Sequence, residues 1–222
     1  EEGTRLNRFG KKYLPEFANY PDKEHAQLIH LLTYTLEYNQ PGGTKSLMAH
    51  SSTPQQLADM LMHLPLKKYP GTSYLYSNIT AFLLTQIIER VTQRSLKDLV
   101  RKRVLDPLTM HATTFFPAND ATAPTEITAA RGIVQGKVHD ESTHYLDSGN
   151  ITSGAAGLFA PVTDIAHFIQ MILTDDGHKK SLFSADMRAL WTQDIFPALL
   201  PIRTPLCWSD DFVATSMHSH SS

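Results

Sequence analysis

A tyrosine and an asparagine two positions apart are the side chains of this sequence best placed to do chemistry. Tyr76 and Asn78 follow the turn that Pro70-Gly71 predicts, and an apolar pattern of helical period begins directly after them. A phenol that can pass a proton and a carboxamide that can hold a substrate would then stand side by side at an exposed helix start. On these residues alone, a packed aromatic ring followed by an ordinary N-cap is the better interpretation.

Metal chemistry has little support, although the chain has 11 histidines. His139 and His144 would point about 140° apart on a helix, whereas the zinc ligands of metalloproteases share one helix face. His139 with Glu141 resembles the zinc deaminase pattern, but the cysteine pair of that site cannot come from the single Cys207. We therefore expect no metal ion.

Two glycine-containing segments do not fit nucleotide sites, and one hydrolase class is excluded. Gly154-Ala155-Ala156-Gly157 does not follow the dinucleotide fingerprint, and the segment around Lys45 lacks the first glycine of a phosphate-binding loop. The chain contains no Gly-x-Ser-x-Gly, so an α/β-hydrolase would have no nucleophile.

Composition limits the class of protein further. Among 222 residues, Lys and Arg number 20 and Asp and Glu number 22, which gives a net charge of −2 without long runs of either sign. This balance argues against a nucleic-acid partner, whose binding needs clustered cations. A hydrophobic content of 41% fits a globular core, and no apolar stretch is long enough to span a membrane.

Helices must position the candidate side chains, because helical patterns dominate the chain. Thr53, Pro54 and Gln56 predict a capped helix over 53–64. Asn78 is predicted to cap a longer helix whose apolar residues run from Ile79 to Val91. Further helices are predicted over Lys23–Tyr34, over Leu96–Val104 after a Ser95 cap, near 164–173 after Thr163, and near 185–193 after Ser184. A strand is predicted over Ile133–Val138 and a loop over Asp147–Phe159.

Several ordered blocks change the interpretation of the Tyr76 pair. They are Lys12–Phe17, Ile29–Thr35, Pro70–Thr72, Tyr76–Asn78, Leu83–Arg90, Leu105–Met110, Gln135–Glu141, Gly154–Phe159 and Thr163–Ala166. Over roughly residues 1–195 the chain resembles the serine β-lactamase and DD-peptidase superfamily, in its class C-like branch with related carboxypeptidases and esterases. Because the blocks keep the family's order, the resemblance is specific.

The resemblance implies a catalytic role for two residues and an incomplete active site. In that family an acyl-enzyme forms on the serine of a Ser-x-x-Lys helix, with help from its lysine and from a Tyr-x-Asn motif, which Tyr76 and Asn78 match. No lysine of this chain has a serine three positions before it. Glu1-Glu2-Gly3 resembles the end of the nucleophile helix, so we expect the serine and lysine just upstream, and no acyl-transfer activity from this chain alone.

The substrate-binding residues follow from the same resemblance. His220-Ser221-Ser222 resembles the start of the family's Lys/His-Thr/Ser-Gly strand, and Gly154 and Gly157 belong to a segment bordering the groove. The chain also departs from the family pattern. Thr33–Glu37 stands where the family usually has Thr-His-Thr-Ser-Gly, and Ala155 stands where near relatives have histidine. Both departures leave substrate specificity open.

The resemblance implies an α+β fold: one domain over residues 1–222, the mainly helical lobe of the β-lactamase/transpeptidase-like fold, truncated at both ends so that most of the antiparallel sheet is missing. The implied activity of the intact protein is that of a serine hydrolase, with a β-lactam, a D-alanyl peptide or an ester as acyl donor. The resemblance implies that this reaction needs no metal or organic cofactor. The alternative is a non-catalytic module that binds a cell-wall peptide or a protein partner. The family also implies an extracytoplasmic location, and the oligomeric state stays open.

Overall fold

Short helices are the main regular secondary structure of the described residues. The computed structural model describes residues 10–118, 121–173, 182–184 and 186. Within them the α-helices are α1 Leu28–Leu32, α2 Gly43–Ala49, α3 Pro54–His63, α4 Asn78–Thr92, α5 Leu96–Val100, α6 Glu141–Ser148 and α7 Val162–Leu173. A π-helical turn, Arg101–Leu105, extends α5, and 3₁₀ turns cover Gly10–Lys12, Pro15–Asn19 and Pro21–Lys23. Among the described helices, none combines the length and apolarity that crossing a bilayer requires.

A small antiparallel hairpin is the sheet of the described residues. Strand β1, Glu126–Thr128, pairs with β2, Gly132–Val134. The strand predicted over 133–138 extends too far, because β2 ends at Val134. Beyond it, the side chain of Gln135 donates to the Thr122 carbonyl, and Gly136 leaves the extended conformation with a φ of 63°. The dominance of helices over strands confirms the predicted α+β class.

Local signals account well for α3. Thr53 Oγ1 accepts a hydrogen bond from the backbone N–H of Gln56 at 3.1 Å, and the side chain of Gln56 accepts one from Ser52 N–H at 2.7 Å. Pro54 occupies the first helical position, where its missing N–H costs nothing. Leu57 and Leu61 are buried on one side. The prediction for residues 53–64 is therefore confirmed.

The start of α4 corrects one prediction. The helix begins at Asn78 itself, and Ser77 acts as its cap, because Ser77 Oγ accepts a hydrogen bond from Ile79 N–H at 3.3 Å. The predicted cap role of Asn78 is wrong by one residue. The apolar side of α4 buries Ile79 and Phe82 as expected, whereas Val91 near its end is 62% exposed.

The remaining helices agree with the sequence in part. Ser95 caps α5 as predicted, accepting from Asp98 N–H at 3.1 Å. The helix predicted over 23–34 is shorter, because Gln27 is extended and α1 starts only at Leu28. Thr163 lies inside α7 rather than capping it. Of the helix predicted over 185–193, the structure describes residue 186 alone.

The described residues divide into two compact units. The first contains residues 10–39 and 63–80 together with 183, 184 and 186, and the second contains residues 40–62, 81–118, 121–173 and 182. The first unit holds fully buried side chains such as Leu14, Phe17 and Leu31, and the second holds Leu61 and Leu105. The prediction of a single domain over residues 1–222 stays a prediction.

Candidate active site

Tyr76 and Asn78 lie together in the first unit, at the end of the loop that leads into α4. The side chain of Tyr76 is 56% exposed, and Asn78 is half-buried as the first residue of the helix. The structure therefore has neither the packed ring nor the Asn78 cap of the simpler interpretation. A phenol and a carboxamide thus stand at the start of α4, and the phenol is exposed.

The loop before α4 is fastened to the segment that follows α1. The N–H of Leu75 donates to the carbonyl of Tyr34 at 3.0 Å, and the N–H of Gly71 donates to the carbonyl of Thr35 at 2.9 Å. The ring of Tyr76 lies against the ring of Tyr34, with 5.0 Å between centroids and 30° between planes. The main chain directly before Tyr76 and the ring of Tyr76 thus both contact Tyr34.

Buried threonines hold the segment after α1 in place. The hydroxyl of Thr33 donates to the Ile29 carbonyl at 2.7 Å and lies 3.0 Å from the hydroxyl of Thr35. The N–H of Thr35 in turn donates to the His30 carbonyl at 2.9 Å. Both threonines are almost fully buried, so these bonds are shielded from competing water.

His30 links the start of α1 to the loop that carries Tyr76. Its Nδ1 accepts a hydrogen bond from Gln27 N–H at 3.2 Å, which leaves the proton of a neutral ring on Nε2. Burial lowers the pKa of His30 and so favours that neutral form. On its other side the ring faces Gly71, where a Cβ would lie 3.1 Å from Nε2.

Glu37 replaces the glycine that the family usually has, and the structure shows how the chain accommodates it. The residue is 7% exposed, and its carboxylate lies 3.2 Å from Lys67 Nζ and 3.2 Å from Lys68 Nζ. The nearby Ser73 hydroxyl, followed by the two lysines, lowers the pKa of the Glu37 carboxyl although burial opposes the shift. The two lysines therefore offset the cost of burying a carboxylate where the family usually has glycine.

Gly154 and Gly157 lie in the second unit, in the loop before α7. The N–H of Gly154 donates to Thr85 Oγ1 at 2.8 Å, and a Cβ there would lie 2.9 Å from the same oxygen. Gly157 has a φ of 106°, which L-residues rarely adopt. It lines a small pocket beside Lys97, whose ammonium lies 2.5 Å from the carboxylate of Asp147. The two glycines are thus required by backbone geometry and close packing.

The other predicted substrate-binding residues, His220 and Ser221, lie outside the described residues. Within the described part of the chain, His, Cys, Asp and Glu form no group of three suited to a metal ion. His139 lies 3.1 Å from the carboxylate of Glu126 and 3.0 Å from the hydroxyl of Thr125.

Three residues of this region received no role from sequence reasoning: His30, Tyr34 and Glu37. The family block around Thr33–Glu37 drew attention to the segment, and the tyrosine and glutamate there were visible as departures from its pattern. Their partners lie in the segment 67–76, and these contacts become visible only in the folded chain.

Comparison with known proteins gives consistent matches. The β-lactamase family model matches residues 1–206. A protein of Escherichia coli (strain K12) named "Putative D-alanyl-D-alanine carboxypeptidase" is 28% identical over 208 residues, covering 82% of this chain and 48% of the relative. A protein of the same name from Salmonella agona (strain SL483) is 27% identical over 199 residues, covering 78% and 46%. The chain spans about half the length of these curated relatives.

Solved structures agree on the fold. An octameric penicillin-binding protein homologue from Pyrococcus abyssi matches with a TM-score of 0.65 at 21% identity, covering 92% of this chain and 47% of that one. A class C β-lactamase mutant matches with a TM-score of 0.56 at 22% identity, covering 82% and 46%. The chain has the β-lactamase/transpeptidase-like fold, and it belongs to the β-lactamase family.

Proposed function

We propose that this chain supplies the proton-relay and substrate-orienting residues of a serine hydrolase. The observation that supports the proposal is the exposed phenol of Tyr76 next to Asn78 at the start of α4, in a chain of the β-lactamase family. A phenol in the core could not reach a substrate, whereas more than half of this side chain is open to solvent.

The proposed reaction transfers an acyl group from an amide or ester to a serine and then to water. The serine oxygen bonds to the carbonyl carbon, the bond to the leaving nitrogen or oxygen breaks, and Tyr76 passes the serine's proton to the leaving atom. Water then adds to the carbonyl carbon of the acyl-serine ester, the bond from that carbon to the serine oxygen breaks, and a proton from the water returns to the serine oxygen as the carboxylic acid leaves. Asn78 hydrogen-bonds the acyl donor and fixes its orientation. The serine and its lysine are proposed to lie in a Ser-x-x-Lys motif outside these 222 residues.

A D-alanyl peptide is the acyl donor we favour, ahead of a β-lactam or a small ester. The support is the name of the curated relatives, each of which is called "Putative D-alanyl-D-alanine carboxypeptidase". A peptidase that acts on cell-wall peptides must meet them outside the cytoplasm, so we propose an extracytoplasmic location for the full-length protein. His220 and Ser221, in the segment that resembles the family's Lys/His-Thr/Ser-Gly strand, are proposed to contribute to the choice between donors.

Steady-state hydrolysis by the full-length protein tests the proposal. Nitrocefin, a p-nitrophenyl ester and a D-alanyl-D-alanine peptide are compared as substrates. Tyr76→Phe should lower kcat by about 10²- to 10⁴-fold, the range for general acid–base groups, and Asn78→Ala should alter KM as well. The matched control is Tyr69→Phe, since Tyr69 is a tyrosine of the same unit with 59% exposure. That variant should keep full activity, and all three should melt at the wild-type temperature.

Two results would contradict the proposal. One is a Tyr76→Phe protein that is as active per folded molecule as the Tyr69→Phe control, which would make Tyr76 a packing residue. The other is reversible binding of the D-alanyl peptide by full-length protein that hydrolyses none of the three substrates. That result would favour the alternative, a non-catalytic module that recognises cell-wall peptides.

A further inference from the structure

In the segment after α1, Tyr34 has a backbone conformation that is most often found for glycine. Tyr34 has a φ of 56°. Its N–H points to the Leu31 carbonyl at 3.4 Å, and the N–H of Thr35 donates to the His30 carbonyl at 2.9 Å. This pair of bonds is the Schellman pattern that ends many helices, and its left-handed residue is most often glycine because a Cβ disfavours that conformation.

The ring of Tyr34 has a specific use at this position. It lies 5.0 Å from the ring of Tyr76 at an interplanar angle of 30°, and 6.3 Å from the ring of Tyr74 at 71°. Both distances are in the range in which aromatic pairs attract each other. A glycine at residue 34 would keep the backbone pattern but would remove the ring that lies against Tyr76.

The backbone of Tyr34 fixes the same target. Its carbonyl accepts the N–H of Leu75, the residue directly before Tyr76, at 3.0 Å. Tyr34 therefore constrains both the main chain next to Tyr76 and the direction of the Tyr76 ring. A mainly exposed tyrosine would otherwise be free to rotate between staggered positions about its first side-chain bond.

We infer that Tyr34 is a positioning residue that holds the phenol of Tyr76 in its reactive orientation; this inference rests on the proposed function. It adds a role for a residue outside the Tyr-x-Asn motif. Strained backbone that persists at the edge of a functional site is consistent with such a role, because the surrounding contacts must over-determine the conformation.

Kinetics of two variants of the full-length protein test the inference. Tyr34→Asn keeps a side chain that tolerates the left-handed region but removes the ring, and Tyr34→Phe keeps the ring. Tyr34→Asn should lower kcat by about 10- to 100-fold, the scale of a displaced reacting group, with KM and melting temperature little changed. Tyr34→Phe should restore kcat to within about twofold of wild type, because it keeps the stacked ring.

A double-mutant comparison separates positioning from a general loss of structure. In a Tyr76→Phe background, Tyr34→Asn should cause no further loss of kcat, because the group it positions is already disabled. If Tyr34→Asn lowers kcat equally in both backgrounds, or if wild-type kcat is retained in the Tyr34→Asn protein, the inference is wrong. If Tyr76→Phe itself leaves kcat unchanged, it is the proposed function that fails.

A spectroscopic measurement tests the contact without relying on activity. Fluorotyrosine is incorporated at residue 76 of the full-length protein, and its ¹⁹F resonance is recorded with Tyr34 and with Tyr34→Asn. The ring current of Tyr34 should displace the resonance, and Tyr34→Asn should move it toward the position of free fluorotyrosine with a narrower line. An identical resonance in both proteins would overturn the inference.

Discussion

Replacing Gly71 by alanine tests how closely the loop before Tyr76 packs on the end of α1. Gly71 has a φ of 81°, and a Cβ there would lie 3.1 Å from His30 Nε2 and 3.5 Å from Cδ2 of the same ring. The ring cannot simply rotate away, because its Nδ1 accepts the N–H of Gln27 at 3.2 Å. The substitution therefore combines an unfavourable backbone conformation with the displacement of a hydrogen-bonded side chain.

The two contributions can be separated in magnitude. A left-handed alanine costs about 1–2 kcal/mol, of which about 0.4–1 kcal/mol is recovered because the unfolded chain is less flexible. Disturbing the bond between Gln27 and His30 adds about 1 kcal/mol. Gly71→Ala should then lower the free energy of unfolding by about 2 kcal/mol. Gly43→Ala is the matched control, since Gly43 has a φ of 69° with nothing within 4 Å of its Cβ position.

Urea denaturation of the wild type and both variants measures the difference. Gly43→Ala should lower the free energy of unfolding by about 1 kcal/mol or less, which is the backbone cost alone. The His30 C–H resonances should shift in Gly71→Ala and stay in place in Gly43→Ala. Equal destabilisation of the two variants would refute the argument that His30 restricts residue 71.

Three further predictions concern contacts that lie within one unit or the other. Gly154→Ala should destabilise the protein by about 1–3 kcal/mol, because the added Cβ would contact Thr85 Oγ1. In the same denaturation assay, the double variant with Thr85→Ala should recover part of that loss. No recovery would contradict the assigned contact. Lys23 is 1% exposed beside the rings of Phe17 and Tyr20; burial lowers its pKa from 10.5 to about 8, although Asp22 and Glu16 oppose the shift. Between about pH 8 and 10.5 the unfolded chain therefore binds more protons than the folded chain. The free energy of unfolding should then rise with pH from about 8 to about 10.5 relative to that of Lys23→Met. Parallel curves of unfolding free energy against pH for the two proteins would refute the burial of the charge. Glu37→Gln should lower the free energy of unfolding at neutral pH by about 1–2 kcal/mol. Because the pKa of Glu37 is lowered from 4.5 in the folded protein, this difference should disappear as the pH falls below 4.5. A difference that persists in acid would mean that the charge of Glu37 is not its source.

Local signals in the sequence predicted the parts of the fold that depend on neighbouring residues. The hydroxyl of Thr53 and the proline that follows it specify the start of α3, and Ser95 specifies the start of α5 in the same way. Ser77 and Asn78 can both cap a helix by residue type, and the sequence alone does not decide between them. In the folded chain, Ser77 takes the cap and leaves Asn78 as the first helical residue.

Features that depend on distant segments could not be predicted. Glu37 is acceptable in a buried position because Lys67, Lys68 and Ser73 surround its carboxylate, and nothing near Glu37 in the sequence indicates this. The contact of Tyr34 with Tyr76 requires the segment after α1 to meet the loop before α4 in one register. The Tyr-x-Asn pair itself was recognisable, because both of its residues lie in one short stretch of chain.

Covalent labelling of the full-length protein tests the central claim most directly. The protein is incubated with a fluorescent penicillin or a reactive phosphonate, and the adduct is located by peptide mass spectrometry and followed in time for the wild type, Tyr76→Phe and Tyr69→Phe. We predict one adduct per chain on the serine of a Ser-x-x-Lys motif, formed about 10²- to 10⁴-fold more slowly in Tyr76→Phe and at the wild-type rate in Tyr69→Phe. An adduct on any other residue, no adduct at all, or equal rates in Tyr76→Phe and wild type would contradict the account.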